Sequence, residues 1–363
     1  MKSYNEILSD VTKTATKIPQ SDYLDTGKYR IFDQGKEYSV GFSNDEQGVV
    51  SDYPYIIFGD HTRVVKYVNE PCFIGADGVK LLKVINKDFN PRFVYYNILA
   101  KPIENQGYAR HFKFLKEIQF TEKTLSVQTN IVTELDTIQS AIDNKKQQLS
   151  LLDEAVKSRF IEMFGDIIQN TKNWELKSFT EIAKSRLGKM LDSKKQTGKE
   201  KYPYLANFNV QWFRFNLENL NEMDFSEADR IEFALKDGDL LVCEGGEVGR
   251  CAVWHNQIEN CFFQKAVHRV RLNMDLVHPD YMAYWFKFRS DFNSFDDIVG
   301  SKATIAHLTG EKLKLLQIPV PPLSLQNDFA SFVQQIDKSK FVVKQQIADL
   351  QELLDSKMQE YFS

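Results

Sequence analysis

The chain has 363 residues, 42% of them hydrophobic, and a net charge of −4. That is enough apolar material for two or three packed domains, it excludes a disordered polymer, and it means that any nucleic-acid binding must come from local basic patches. Cys72, Cys243, Cys251 and Cys261 form no C-x-x-C pair, the opening MKSYNEILSDVTK has no apolar signal core, and no run of about 18 apolar residues exists, so free thiols, a cytoplasmic chain and no membrane span are expected.

In chain order, residues 1–120 read as a mixed unit rich in strand. Short β-type runs are predicted over 54–58, 64–68 and 81–85, separated by the turn signals Gly59-Asp60 and Asp77-Gly78. An aromatic helix is predicted over 91–99. Residues 121–166 then carry one long helix. Ile131, Leu135, Ile138, Ile142, Leu149, Leu152, Val156 and Met163 recur in steps of three and four, which is the seam of a coiled coil, with Lys145 on a seam position. Gly165 and Asn170-Thr171 punctuate the junction.

Residues 167–318 form a second mixed unit. Strands are predicted over 239–243 and 266–272, turns at Asp237-Gly238 and Gly245-Gly246, and an aromatic helix over 279–288. Pro319, Pro321 and Pro322 precede the last segment, 319–363. There Phe329, Val333, Ile336, Val343, Ile347, Leu350, Leu354 and Tyr361 repeat the same seam, with Lys340 on it. Each long helix is expected to run about 33 residues, or roughly 50 Å at 1.5 Å per residue.

The chain is an internal repeat. Leu125-Ser126-Val127-Gln128 recurs 198 residues later as Leu323-Ser324-Leu325-Gln326, and Lys146-Gln147-Gln148 as Lys344-Gln345-Gln346, without a gap. Lys2-Ser3-Tyr4-Asn5-Glu6-Ile7 recurs 175 residues later as Lys177-Ser178-Phe179-Thr180-Glu181-Ile182. The predicted fold is therefore α+β: two mixed α/β units separated by two long helices, packed as an antiparallel coiled coil with pseudo-two-fold repetition.

These pieces in this order resemble the specificity subunit of type I restriction–modification systems. The resemblance is carried in unit two by Tyr202-Pro203-Tyr204-Leu205, Leu235-Lys236-Asp237-Gly238-Asp239-Leu240-Leu241-Val242, Gly245-Gly246-Glu247-Val248-Gly249-Arg250, Phe263-Gln264-Lys265-Ala266 and the exit Ile318-Pro319-Val320-Pro321-Pro322-Leu323. In unit one it rests on Ile56-Ile57-Phe58-Gly59-Asp60-His61-Thr62-Arg63 and Ile74-Gly75-Ala76-Asp77-Gly78-Val79-Lys80, and at the junction on Val156-Lys157-Ser158-Arg159-Phe160-Ile161-Glu162-Met163-Phe164-Gly165-Asp166. Unit one departs from the pattern: it has neither the tryptophan of Asn173-Trp174-Glu175-Leu176 nor the exit prolines. The resemblance implies two target recognition domains (1–120 and 167–318), each binding half of a bipartite site on double-stranded DNA. It also implies a central and a C-terminal conserved helix that set the spacing and dock two modification (methyltransferase) subunits, with restriction subunits added. S-adenosylmethionine, ATP and Mg would belong to those partners. The alternatives are a specificity subunit whose methyltransferase and nuclease are fused in one partner, and a structural adaptor that binds no DNA.

No chemistry of its own is expected. Val320-Pro321-Pro322-Leu323 is not an adenine-methyltransferase loop, Gly245-Gly246-Glu247-Val248-Gly249 is no G-x-G-x-x-G, and no nucleotide-binding G-x-x-x-x-G-K-(S/T) occurs. His61 and His111 read as DNA-facing or surface groups, and His268 as core. Reading DNA takes side chains on base edges and cations on phosphates. The candidates in unit one are Lys36, His61, Thr62, Arg63, Lys80, Arg110 and Lys113. In unit two they are Lys189, Asn207, Asn209, Gln211, Arg214, Arg250 and Lys302. The polar loop 194–201 is expected to meet phosphate or water.

Overall fold

The computed structural model describes residues 1–75, 77–107, 109–192, 196–292, 295 and 307–363. It divides into two compact units: residues 1–148 with 343–363 (unit 1), and 149–342 (unit 2). Each unit contains one mixed domain and one end of each long helix.

In unit 1, Ser3 caps a first turn of helix, Tyr4–Ile7, through a reciprocal bond in which its N–H donates to Glu6 (2.8 Å). Leu8–Asp10 then pairs with Val79–Val84, which pairs with Tyr55–Gly59, which pairs with Val65–Val68, all antiparallel. A second sheet orders Lys17–Ile18, Cys72–Gly75, Tyr29–Phe32 and Gly41–Ser43, the first two contacts being parallel. Unit 2 repeats this plan. Ser178 and Glu181 form the same capping box (N–H to carboxylate, 2.7 Å). Ala183–Leu187, Val267–Leu272, Leu240–Cys243 and Cys251–Val253 form the corresponding sheet. Phe262–Phe263, Lys201–Leu205 and Asn221–Asp224 give the parallel and antiparallel pairs of the second. The bridge between Lys2 and Phe120 that closes unit 1 matches the pairing of Glu175–Ser178 with Gln317–Val320 in unit 2.

The long helices are Leu125–Phe164 and Leu323–Phe362, 40 residues each. Their ends coincide at the 198-residue offset, and each is a turn or two longer than the seam predicted, about 60 Å. They run antiparallel in both units. In unit 1 Glu134 meets Lys357 (3.3 Å) and the Tyr361 hydroxyl (2.5 Å). At the equivalent pair in unit 2 the Arg159 guanidinium lies over the Phe332 ring, 6.0 Å away. The seam residues Ile131, Leu135, Ile138, Ile142, Val156, Phe329, Val333, Val343 and Leu354 are buried. Lys340 leaves the seam for Asp153 (2.6 Å). The first helix ends at Gly165 (φ +76), whose N–H donates to the Ile161 carbonyl, while the Trp174 indole caps the Phe164 carbonyl (2.9 Å).

One polar side chain per unit ties helix to domain. Gln128 is fully buried. Its Oε1 accepts the N–H of Asn90 (2.8 Å), and its amide donates to the carbonyls of Asp88 and Lys123 (2.8 Å each). Gln326, also fully buried, accepts the N–H of His278 (2.9 Å) and donates to the carbonyls of Leu276 (3.0 Å) and Pro321 (2.8 Å). Asn90 and His278 are the N-caps of the aromatic helices Pro91–Leu99 and Pro279–Asp291. Replacing Gln326 by Leu strands one N–H and two carbonyls in the interior, so a stability loss of roughly 3 kcal/mol is expected by urea denaturation. A shift within about 0.5 kcal/mol, the range of an ordinary surface substitution, would show that the latch is dispensable.

Candidate nucleic-acid interface

The loop after Tyr55–Gly59 is the organising point of unit 1. Asp60 is buried; its N–H donates to the Gly78 carbonyl (2.7 Å), its carbonyl accepts the His111 N–H (2.8 Å), and its Oδ1 accepts the Phe112 N–H (2.8 Å). The His111 ring lies with Nδ1 3.1 Å from the Asp60 carbonyl and with Nε2 accepting the Gln106 N–H (3.2 Å), which places its proton on Nδ1. His111 is therefore buried framework, not the DNA-facing or surface group expected of it.

By fixing residues 111 and 112, Asp60 carries Arg110 and the short helix Phe112–Leu115 to the same place as His61. Lys17, His61, Lys80 and Arg110 line one cleft, and His61 and Arg63 line its neighbour with Asn105. Lys80 lies 3.6 Å from Asp10 and over the Phe112 ring (4.8 Å). Arg63 adopts φ +63 and donates to the Ile103 carbonyl (3.2 Å). Lys113 is exposed over the Phe114 ring (4.7 Å), and Lys36 is exposed in the turn after Gln34. The Thr62 hydroxyl is occupied, since it donates to the Gln34 carbonyl. Sequence reasoning missed Lys17, which comes from a two-residue strand with no motif around it, and Gln34, discussed below.

Unit 2 repeats the frame with other side chains. Glu244 donates its N–H to Ala266 (3.1 Å) and accepts that of Leu308 (2.7 Å), as Asp60 does with Gly78 and His111. Here most of the predicted residues are engaged by partners within the fold. The Arg250 guanidinium donates to the side-chain and backbone oxygens of Asn207 (2.6 and 3.0 Å) and lies 3.8 Å from Glu247. Asn207 also donates to the Gly245 carbonyl (2.7 Å), so the pair joins two loops. Lys189 is bound to Asp229 and the Asp224 carbonyl (2.6 Å each) over the Phe225 ring. Asn209 is fully buried, with its amide shared between Ala206 and Asn216. Gln211 donates to the Phe208 carbonyl (2.8 Å). Arg214 is exposed and lines a cleft with Asp237, Asp280 and Asp337 and with His255, which lies 3.1 Å from Asp237. Lys302, and Lys194 and Lys195 of the basic loop, lie outside the described residues. The rest of that loop is gathered by Asp224, which accepts the N–H groups of Gly198 (2.7 Å) and Glu200 (3.2 Å). Phe208, exposed beside Asn207, presents an aromatic face that no motif in the sequence announces.

Where unit 1 sets Lys80 opposite Phe58, the same register in unit 2 sets His268 opposite Val242. His268 is buried core, as the strand pattern predicted, and burial pushes its imidazole down to about 4. The four cysteines are free and buried, and burial holds the Cys72 and Cys261 thiols up at about 12. Among the described residues no three His, Cys, Asp or Glu side chains converge as a metal-ligand set, and no helix is long and apolar enough to cross a membrane.

Residues 171–352, half of the chain, match the family described as "Type I restriction modification DNA specificity domain". The chain is 22% identical over 203 residues to the putative type I restriction enzyme MjaX specificity subunit of Methanocaldococcus jannaschii, covering 55% of this chain and 47% of that one. It is 23% identical over 240 residues to the EcoKI specificity subunit of Escherichia coli, covering 61% and 51%. It thus spans about half the length of these two curated relatives. The match to the EcoR124I/EcoR124II specificity subunit of Escherichia coli is 22% over 360 residues, 91% of this chain and 85% of that one. The fold is like that of the type I restriction–modification S subunit from M. genitalium (TM-score 0.59, 14% identity, 100% and 95% covered). It is also like a structure described as the basis of complex assembly and conformational transition of the type I R-M system (TM-score 0.51, 13% identity, 100% and 99% covered).

The buried His268 makes unit 2 acid-sensitive. Its folded pKa of about 4 lies below the ordinary 6.5, so as pH falls the unfolded chain takes up the proton first and stability is lost between those values. Replacing His268 by Leu is expected to shrink the stability difference between neutral pH and pH 4 by about 3 kcal/mol. Denaturation at several pH values reads this directly, and a pH profile parallel to that of the wild type would refute it.

Proposed function

Because the chain belongs to the type I restriction–modification DNA specificity family, we propose that it reads a bipartite sequence on double-stranded DNA for a methyltransferase and restriction complex. Each mixed domain would select one half-site. The observation that carries this reading is the duplicated frame holding different loops: one scaffold, with Asp60, His61 and Lys80 in unit 1 where unit 2 has Glu244, Gly245 and His268. In unit 1 the cluster of Lys17, His61, Lys80 and Arg110 suits a phosphate backbone flanking a read base. The unread gap between half-sites would follow from the length of the paired helices, and the helices would dock two modification subunits. On this reading the chain carries out no chemistry. S-adenosylmethionine, ATP and Mg would act in the partner subunits, in the cytoplasm.

Two experiments test it with the chain co-expressed with its modification subunits and methylated adenines mapped by single-molecule sequencing. Exchanging residues 170–318 for another recognition domain should change one half of the motif and leave the other, whereas a change in both halves would overturn the modular reading. Inserting one heptad after Gln148 and another after Gln346 lengthens both helices by about 10 Å and keeps the seam phase. The motif should keep both halves and gain a few unread base pairs. An unchanged gap with full methylation would remove the helices as the determinant of spacing.

A further inference from the structure

The cationic loops of unit 1 come from separate parts of the chain, and one side chain holds three of them together. Gln34 accepts the N–H of His61 on Oε1 (3.2 Å) and donates from Nε2 to the Asp77 carbonyl (3.2 Å), while its own carbonyl accepts the Thr62 hydroxyl (2.5 Å). Two glycines make room for it. A Cβ on Gly59 would fall 3.0 Å from the Gln34 Cβ and 2.2 Å from the Thr62 hydroxyl, and one on Gly78 (φ +74) would fall 2.4 Å from the Gln34 amide nitrogen. Beneath it, Asp33 accepts the Gly35 N–H (2.8 Å) and pairs with the buried Lys66 (3.3 Å), so the turn that presents Lys36 is anchored from below.

We propose that Gln34 is a positioning residue for sequence selection by unit 1, locking the loops at 33–36, 59–63 and 77–78 into one reading surface without touching DNA itself. The physical reason is that both ends of its amide are already bonded to the backbone. Base readout depends on side chains held in register, and a loop free to shift loses discrimination before it loses phosphate contacts. The Gln34 contacts set the backbone of His61 directly and that of Arg63 through Thr62, whose hydroxyl also accepts the Val64 N–H (3.3 Å). This proposal rests on the DNA reading above.

The test uses the full chain in selection from a pool of duplexes randomised at both half-sites, with the half read by unit 1 assigned through the 170–318 exchange. Gln34→Met keeps the side-chain volume between the two glycines and loses both amide bonds. Gln34→Glu keeps the acceptor for His61 but turns an oxygen toward the Asp77 carbonyl. Each variant is expected to lose roughly 10-fold in enrichment at the unit 1 half-site, the cost of a poor base contact, with the other half-site and the thermal midpoint unchanged. Wild-type enrichment in both variants would overturn the proposal. So would an equal loss at both half-sites with a lowered midpoint, which marks a merely structural role. A wild-type chain that enriches no motif would instead sink the DNA reading, and this proposal with it.

Discussion

Two buried glutamines set the geometry on which the rest of each unit depends. A long helix must start where the mixed domain ends, and at that corner three backbone groups are turned inward without partners of their own. Gln128 and Gln326 satisfy all three with one side chain. Leaving such groups unpaired costs about 1–3 kcal/mol each, so the corner has little freedom to vary. The cap that each glutamine addresses differs, Asn90 in one unit and His278 in the other, yet the bonds are the same. The demand therefore comes from the backbone path, and the side chain at the cap is free to change.

Outside that corner the two units solve the same packing problem with different chemistry. In unit 1 Arg92 pairs with Asp136 of the long helix (2.8 Å) and lies over the rings of Tyr67, Tyr95 and Tyr96 at 4.7, 5.0 and 5.2 Å. The equivalent positions in unit 2 are Asp280 and Gln334. The ion pair is gone, and burial pushes the Asp280 carboxyl up. Phe164 packs on Tyr281 (ring centroids 4.8 Å apart) as Phe362 packs on Phe93 in unit 1 (5.0 Å), and unit 2 adds Phe160 against Tyr281 and Phe329 (5.8 and 5.3 Å). Two copies of one fold can thus drift far apart in sequence while the helix seam keeps its phase.

This explains what could be read from the sequence. The seam and the offset of 198 residues were legible because a coiled coil repeats one physical requirement every three or four residues. The central strands at 54–58 and 239–243 were legible because their residues are buried on both faces, and the one at 266–272 because its apolar residues alternate with the half-buried Arg269 and Arg271. The site was harder. Asn209 and Lys189 look like DNA ligands in a sequence, since polar and basic residues in loops serve either purpose. Only the partners decide, and those partners, Asn216 and Asp229, lie 7 and 40 residues away. Gln34 was invisible for the same reason: its bonds reach residues 27 to 43 positions distant, with no local pattern to announce them.

The net charge was the most misleading signal, for a physical reason. At physiological salt a charge is screened beyond about 8 Å, so a phosphate at the unit 1 cleft responds to Lys17, His61, Lys80 and Arg110 and hardly at all to acids elsewhere. The same range makes position decisive for single residues. Arg214 is as charged as Arg110, but it shares its cleft with Asp237, Asp280 and Asp337 as well as His255 and His278, whereas among the described residues the acids lining the cleft of Arg110 are Asp60, turned inward onto the Phe112 N–H, and the solvent-exposed Asp77, 3.8 Å from Lys17. Basic residues in unit 2 such as Arg250, held between Asn207 and Glu247, and Lys189, held by Asp229, are spent on shaping loops. A chain of net charge −4 can hold a locally basic cleft because the balance that matters is struck within a few ångströms, residue by residue.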